Sequence, residues 1–161
     1  MSEVRVLFVC LGNICRSPSA QGVFQHLVDR QGLGERIAVD SAGTGDWHIG
    51  QPPDLRSQQA ALARGYAISD LRARLVTAED FRDFDYILAM DRANLRNLLA
   101  MQPEGFAGHL GLFLEFGRQR EHLEVPDPYH GGEEAFELVL DLIQQASEGL
   151  LEHIRSRHLN A

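Results

Sequence analysis

The stretch Val4-Arg5-Val6-Leu7-Phe8-Val9-Cys10-Leu11-Gly12-Asn13-Ile14-Cys15-Arg16-Ser17-Pro18 decides how this chain is read. Val4 to Val9 is short, apolar and rich in β-branched residues, the pattern of a buried strand. Ser17-Pro18 supplies the residue types a helix prefers at its N-cap and first position. A strand that enters a helix through Cys10–Ser17 turns the successive N–H groups of residues 11 to 16 into one concavity, with the positive end of the helix dipole beneath it. Gly12 and Asn13 tolerate the positive φ that so tight a turn requires. The segment is therefore expected to bind an anion.

Three side chains make the expected cradle reactive. A thiolate at Cys10, on the floor of an N–H nest and near a permanent positive charge, is stabilised as a nucleophile near neutral pH. Arg16 can fold back so that its planar fork meets two oxygens of a phosphoryl group. Ser17 can donate a hydrogen bond to the Cys10 sulfur and help thiolate depart. A nucleotide-binding P-loop needs a lysine, and the chain has none.

Composition narrows the function classes. At 161 residues the chain reads as one domain, residues 1–161, able to bury a substantial core. Its 44% hydrophobic and 24% charged residues are ordinary for a soluble globular protein. A formal net charge of −8 argues against nucleic acid as a partner, so an anionic substrate must be held by local positive charge. No apolar run has the length of a membrane span and no secretory pattern opens the chain, which predicts no membrane insertion and a cytoplasmic location. The two cysteines share one loop, which is neither a structural staple nor a metal site; no metal or other cofactor is expected.

Along the chain, a helix is predicted from Ser17 to about Gln31, with Ala20, Val23, Phe24, Leu27 and Val28 on one face and Gly32 ending it. Arg36 to Ser41 reads as a second strand, followed by a turn-rich loop from Gly43 to Pro53. Asp54 caps an alanine-rich helix that ends at Gly65. A short strand is expected around Arg74 to Val76. Thr77 to Asp80 has the composition of a cap opening a helical turn. Tyr86 to Met90 is a buried strand, Asp91 caps a helix through about Met101, and His109 to Leu112 is a last strand. From Glu133 a long amphipathic helix buries Phe136, Val139, Leu140, Ile143, Leu150, Leu151 and Ile154. Strands that alternate with helices call for a parallel sheet covered on both faces.

The segment Cys10–Pro18 resembles the active-site loop of the low-molecular-weight protein tyrosine phosphatases. So do Asp40-Ser41-Ala42-Gly43-Thr44, Trp47-His48, Gly50–Asp54, Phe84–Asp91 and Val125–Gly132, in that family's order. The resemblance implies an α/β, flavodoxin-like fold with four parallel strands in the order 2-1-3-4 and Cys10 at the point where the winding reverses. It implies a phosphatase acting on phosphotyrosine-containing proteins, with Cys10 as nucleophile and Arg16 and Leu11, Gly12, Asn13, Ile14, Cys15 and Ser17 around the phosphate. Asp127, in Pro126-Asp127-Pro128, is the expected general acid and then base, although Asp-Pro is also a common turn initiator. Glu124 is the weaker alternative. Thiolate and protonated Asp127 must coexist, so a bell-shaped rate profile with an acidic optimum is expected.

Trp47 and Tyr129 are implied to hold a phosphophenyl ring between them, at a depth phosphoserine does not reach. Ile14 stands where related arginine phosphatases carry threonine, and an apolar side chain there favours tyrosine. Asn13 and Ser41 are expected to brace the loop. Leu71, however, replaces a histidine that commonly joins that brace, which predicts a thinner or rearranged network. His130 replaces a second aromatic residue and reads as a solvated rim group. Cys15 is expected to trap an oxidised Cys10 as a disulfide. Three alternatives compete: an arsenate reductase lacks the further cysteines it needs, an arginine phosphatase is disfavoured by Ile14, and a noncatalytic phosphate-binding module is disfavoured by the presence of Cys10, Arg16 and Asp127 together.

Overall fold

The computed structural model of the chain describes residues 2–118 and 121–159. Four strands, β1 (Val4–Cys10), β2 (Ile37–Gly43), β3 (Tyr86–Ala89) and β4 (His109–Leu112), form one parallel sheet in the order β2-β1-β3-β4. The helices are α1 (Arg16–Arg30), α2 (Leu55–Ala63), α3 (Asp80–Asp83), α4 (Arg92–Met101) and α5 (Glu133–Ile154). A short 3-10 turn, Phe113–Phe116, follows β4. No helix of the described residues is long and apolar enough to cross a membrane.

The apolar run of β1, continuous from Val6 to Cys10 after the exposed Arg5, follows from its central place. Val4, Val6, Phe8 and Cys10 face the α1/α5 layer, where Phe24, Val28, Val139, Leu140 and Ile143 are buried with them. Leu7 and Val9 point the other way, into a second core with Phe81 of α3, Leu98 of α4 and Val76. Alternate residues of a strand leave opposite faces, so a strand covered on both sides needs apolar residues at every position. Phe8 is fully buried, with its ring edge-on to Phe24 at 5.7 Å and Phe113 at 4.8 Å. Burial of such a side chain contributes about 1.5–3 kcal/mol from solvent transfer alone.

The register brings the carboxyl ends of the strands together, with Cys10 opposite Gly43 and Val9 opposite Ala89. Between β2 on one side and β3 on the other, β1 ends where the chain's winding reverses, the position at which open α/β sheets bind ligands. The loop after β1 therefore opens between the loops that follow β2 and β3.

Several local expectations hold. Asp54 caps α2 by accepting from the Arg56 N–H, and Asp91 caps α4 by accepting from the Asn94 N–H. Gly32 and Gly65, at φ 71° and 92°, follow the helices they end. Two others need correction. Helix α1 starts at Arg16, not Ser17, and no side chain caps it; the Ser17 hydroxyl faces the Cys10 sulfur instead, and Pro18 sits in the first turn rather than at its first position. The expected strand at Arg74–Val76 is a single bridge, Leu75 to Gly43, because the chain touches the end of β2 and turns away. The cap expected at Thr77–Asp80 is present: the Asp80 carboxylate accepts from the Thr77 N–H at 2.8 Å, and the helical turn α3 follows from Asp80.

Candidate active site

The cradle is built from outside by neighbouring backbone. The carbonyls of Cys10, Leu11 and Ile14 accept from the N–H groups of Thr44, Gly45 and Asp54 at 2.9, 2.8 and 2.8 Å. Carbonyls held outward leave the amide side of the turn for the concave face. Gly43 allows this contact: a Cβ there would lie 2.8 Å from the Leu11 carbonyl oxygen and 3.2 Å from the Asn13 nitrogen. Asn13 takes the left-handed conformation, φ 57°, and its side chain locks the turn. Its Nδ2 donates to Ser17 Oγ (2.8 Å) and Ser41 Oγ (3.0 Å), and its Oδ1 accepts from the Arg74 N–H (3.0 Å).

The brace is rearranged, not thin. Ser41 Oγ donates to Gln21 Oε1 at 2.6 Å, so Gln21 and the Arg74 main chain complete the network. Leu71 takes no part in it and lines a cleft with Gln21, His26 and Tyr66. Neither Gln21 nor Arg74 carries a local sequence signal, because each reaches the loop only through the folded sheet.

At the floor, the buried Cys10 sulfur lies 3.0 Å from Ser17 Oγ and accepts from the Asn13 N–H at 3.2 Å. Arg16, buried at the first turn of α1, donates through Nη1 to Asp91 Oδ2 (2.6 Å) and to the Val125 carbonyl (3.1 Å). Its Nη2 lies 3.8 Å from Asp127 Oδ2. Burial opposes the Arg16 charge, but the Cys10 sulfur and the Asp91 and Asp127 carboxylates outweigh it and hold the guanidinium above the usual arginine range. Asp91 is the main residue that sequence reasoning missed. Its capping role accounted for it, yet only one oxygen caps α4 while the other aims Arg16.

The rim carries the remaining expected residues. Asp127 is half exposed and accepts from the Tyr129 N–H at 3.1 Å. Glu124 is turned toward α4, where it accepts from the Arg92 N–H (2.8 Å) and pairs with the Arg92 guanidinium (3.2 Å). Trp47 is 67% exposed and lies against Gly45, where a Cβ would overlap the indole. Tyr129 is 41% exposed, with the His130 ring edge-on at 5.0 Å. His48, also unforeseen, rests on the loop so closely that a Cβ at Gly12 would lie 3.0 Å from its ring. Leu11 is the exposed apolar residue of the cradle, whereas Ile14 and Cys15 pack inward with Ala73 and Phe136. Burial pushes the Cys15 thiol up to about 12, with a hydrogen bond to Ser57 opposing and Asp54, Cys10 and Asp127 adding to it.

The family model for low molecular weight phosphotyrosine protein phosphatases matches residues 5–159. The low molecular weight protein-tyrosine-phosphatase YfkJ of Bacillus subtilis is 42% identical over 152 residues, which cover 94% of this chain and 96% of that protein. A crystal structure of a protein tyrosine phosphatase from Entamoeba histolytica with Hepes in its active site superposes with a TM-score of 0.91 at 40% identity, covering 95% and 97% of the two chains. A Drosophila arginine phosphatase superposes at 0.89 with 35% identity, covering 94% and 98%. With a family match that runs from the first strand to the last helix, this chain belongs to the low molecular weight phosphotyrosine protein phosphatases and is an enzyme.

Proposed function

We propose that this protein hydrolyses phosphotyrosine in proteins, and small aryl phosphates, through a phosphocysteine intermediate on Cys10. The observation that carries the reading is the convergence on one cradle of the Cys10 sulfur, the Arg16 guanidinium and the Asp127 carboxyl, the last two 3.8 Å apart. In the first step the Cys10 thiolate attacks phosphorus, the bond to the phenolic oxygen breaks, and protonated Asp127 gives that oxygen its proton. In the second, the Asp127 carboxylate takes a proton from water as the water oxygen attacks phosphorus. The S–P bond then breaks and phosphate leaves. Ser17 Oγ, 3.0 Å from the sulfur, donates to the departing thiolate. Arg16 and the loop amides hold the equatorial charge in both steps. Glu124, tied to Arg92, is poorly placed for the acid's part. A free nucleophilic thiol suits a reducing compartment, so the site of action is read as the cytoplasm. The surroundings of Cys15 favour a packed, protonated thiol over a fast partner for an oxidised Cys10.

Exposed Trp47 and Tyr129 support an aryl substrate, while the inward packing of Ile14 transfers apolar contact at the loop's rim to Leu11. Peptides of one sequence bearing phosphotyrosine, phosphoserine or phosphoarginine separate the readings. The expected kcat/KM for phosphotyrosine exceeds that for phosphoserine by about 10²-fold or more. A preference for phosphoarginine would replace the tyrosine reading with the activity named for the Drosophila protein.

Asp91 gives a second test. Asp91→Ala removes the α4 cap, worth about 1 kcal/mol, and frees the Arg16 fork; because misplacement by about 1 Å can cost 10²-fold, kcat/KM is expected to fall by about 10–100-fold. Asp91→Asn keeps the cap acceptor and much of the thermal stability but loses the charge that aims Arg16. Equal activity of Asp91→Asn and wild type would show that the carboxylate's charge does not aim Arg16.

A further inference from the structure

The geometry assigns Arg56 the role of a positioning residue that holds the acid loop over the cradle. This rests on the reading of Asp127 as general acid. Arg56 lies in the first turn of α2, next to an anchor fixed to the cradle: the Asp54 N–H donates to the Ile14 carbonyl at 2.8 Å. Asp54 Oδ1 accepts from the Arg56 N–H (2.8 Å) and Nε (3.1 Å), and Asp54 Oδ2 accepts from Nη2 (3.0 Å), which fixes the plane of the guanidinium from the α2 side. From that plane Nη2 donates to the Tyr129 carbonyl at 2.8 Å, and Nη1 reaches the Gly131 carbonyl at 3.5 Å. The Arg56 guanidinium carbon lies 5.5 Å from the Tyr129 ring centroid and 4.8 Å from that of Phe136.

Tyr129 links the clasp to the acid. Its carbonyl is held by Arg56, and its own N–H donates to Asp127 Oδ1 at 3.1 Å. A continuous path thus runs from the Ile14 carbonyl through Asp54, Arg56 and Tyr129 to the Asp127 carboxyl. Lysine carries the charge but lacks the planar fork that serves Asp54 and Tyr129 at once and stacks on Phe136. Release of the clasp frees Asp127 from the leaving oxygen without touching Cys10 or Arg16.

A positioning role is visible in the dependence of kcat/KM on the leaving group. Phenyl phosphate needs a proton on its departing oxygen, and 2,4-dinitrophenyl phosphate does not. Arg56→Ala is expected to lower kcat/KM on phenyl phosphate by about 10-fold and to change that on the dinitrophenyl ester by about twofold or less, with Arg56→Lys intermediate. Asp127→Asn shows the same selectivity more strongly, and Arg56→Ala added to it steepens nothing further. Arg64→Ala, which removes ion pairs from α2 to Glu137 and Asp141 on α5, is the structural control and affects both substrates alike. Equal losses on both substrates in Arg56→Ala, with Asp127→Asn selective, would overturn the assignment of Arg56. An unselective Asp127→Asn would overturn the acid reading instead. Should Arg56→Ala not fold, Arg56→Gln and Arg56→Lys carry the same comparison.

Discussion

Cys10→Ser abolishes turnover of aryl phosphates, a loss of about 10⁴-fold or more in kcat, while the cradle still binds inorganic phosphate within about threefold of wild type. The two halves of this expectation have separate causes. Turnover needs a nucleophile present as an anion before attack. Around position 10 the structure provides the Asn13 N–H as donor at 3.2 Å and the Ser17 hydroxyl at 3.0 Å, with the Arg16 charge acting on the sulfur, and among the described residues no carboxylate or imidazole is hydrogen-bonded to it as a base. A thiol can ionise under such conditions and an aliphatic hydroxyl cannot. On the proposed reading, binding of phosphate rests on Arg16 and the loop amides, which the substitution leaves in place. The comparison is made by steady-state assay with phenyl phosphate and by titration with inorganic phosphate. Turnover that survives Cys10→Ser would sink the mechanism, whereas a wild type that binds phosphate and turns nothing over would be a binding module. Cys15→Ser serves as contrast and is expected to keep most activity, since Cys15 packs with Ile14, Ala73 and Phe136 behind the loop.

The fold was legible where one physical cause dominates a local stretch. Val6 to Val9 is apolar at every position because both faces of β1 are covered there, while Arg5 at the strand's exposed start is not, and the amphipathic α5 buries one face, including Val139, Leu140 and Ile143. The convergence of the candidate site's loop residues was legible, since Cys10, Asn13, Arg16 and Ser17 lie within eight residues and their spacing is itself the geometry. Where two functions compete for one residue, propensity misled. Ser17 has the composition of an N-cap, but the N–H groups of that helix start belong to the cradle, and the hydroxyl is used on the sulfur. What was not legible is what the sheet assembles from afar. Asp91 meets Arg16 across 75 positions because β3 lies beside β1, and the Arg74 N–H meets Asn13 across 61. Local patterning encodes neither contact.

Arg16 offers the sharpest contrast with Cys10, because its replacement is expected to cost binding and chemistry together. The guanidinium is buried, its Nη1 is committed to Asp91 Oδ2 at 2.6 Å and to the Val125 carbonyl at 3.1 Å, and its Nη2 side lies toward Asp127. One side of the fork is thus anchored at hydrogen-bond distance, whereas the other has only the half-exposed Asp127 carboxyl at 3.8 Å and can turn to a phosphoryl group, an arrangement that requires a planar group with several fixed donors. Arg16→Lys keeps a positive charge, yet a single ammonium cannot stay on Asp91 and still present paired donors to phosphate. By analogy with arginines that stabilise phosphoryl-transfer transition states, kcat/KM is expected to fall by about 10³-fold in Arg16→Lys and further in Arg16→Ala. Stability should divide the two variants. Arg16→Ala leaves Asp91 without its cation, and breaking a buried pair from one side costs about 3–5 kcal/mol; the cost here falls toward the lower end because Asp91 is partly exposed and retains the Asn94 N–H. Arg16→Lys retains most of that pairing and melts closer to wild type. Inorganic phosphate affinity, nearly unchanged in Cys10→Ser, falls in both. A lysine variant with kcat/KM within tenfold of wild type would mean that charge alone suffices at this position, and the account of Arg16 as a fork aimed by Asp91 would fail.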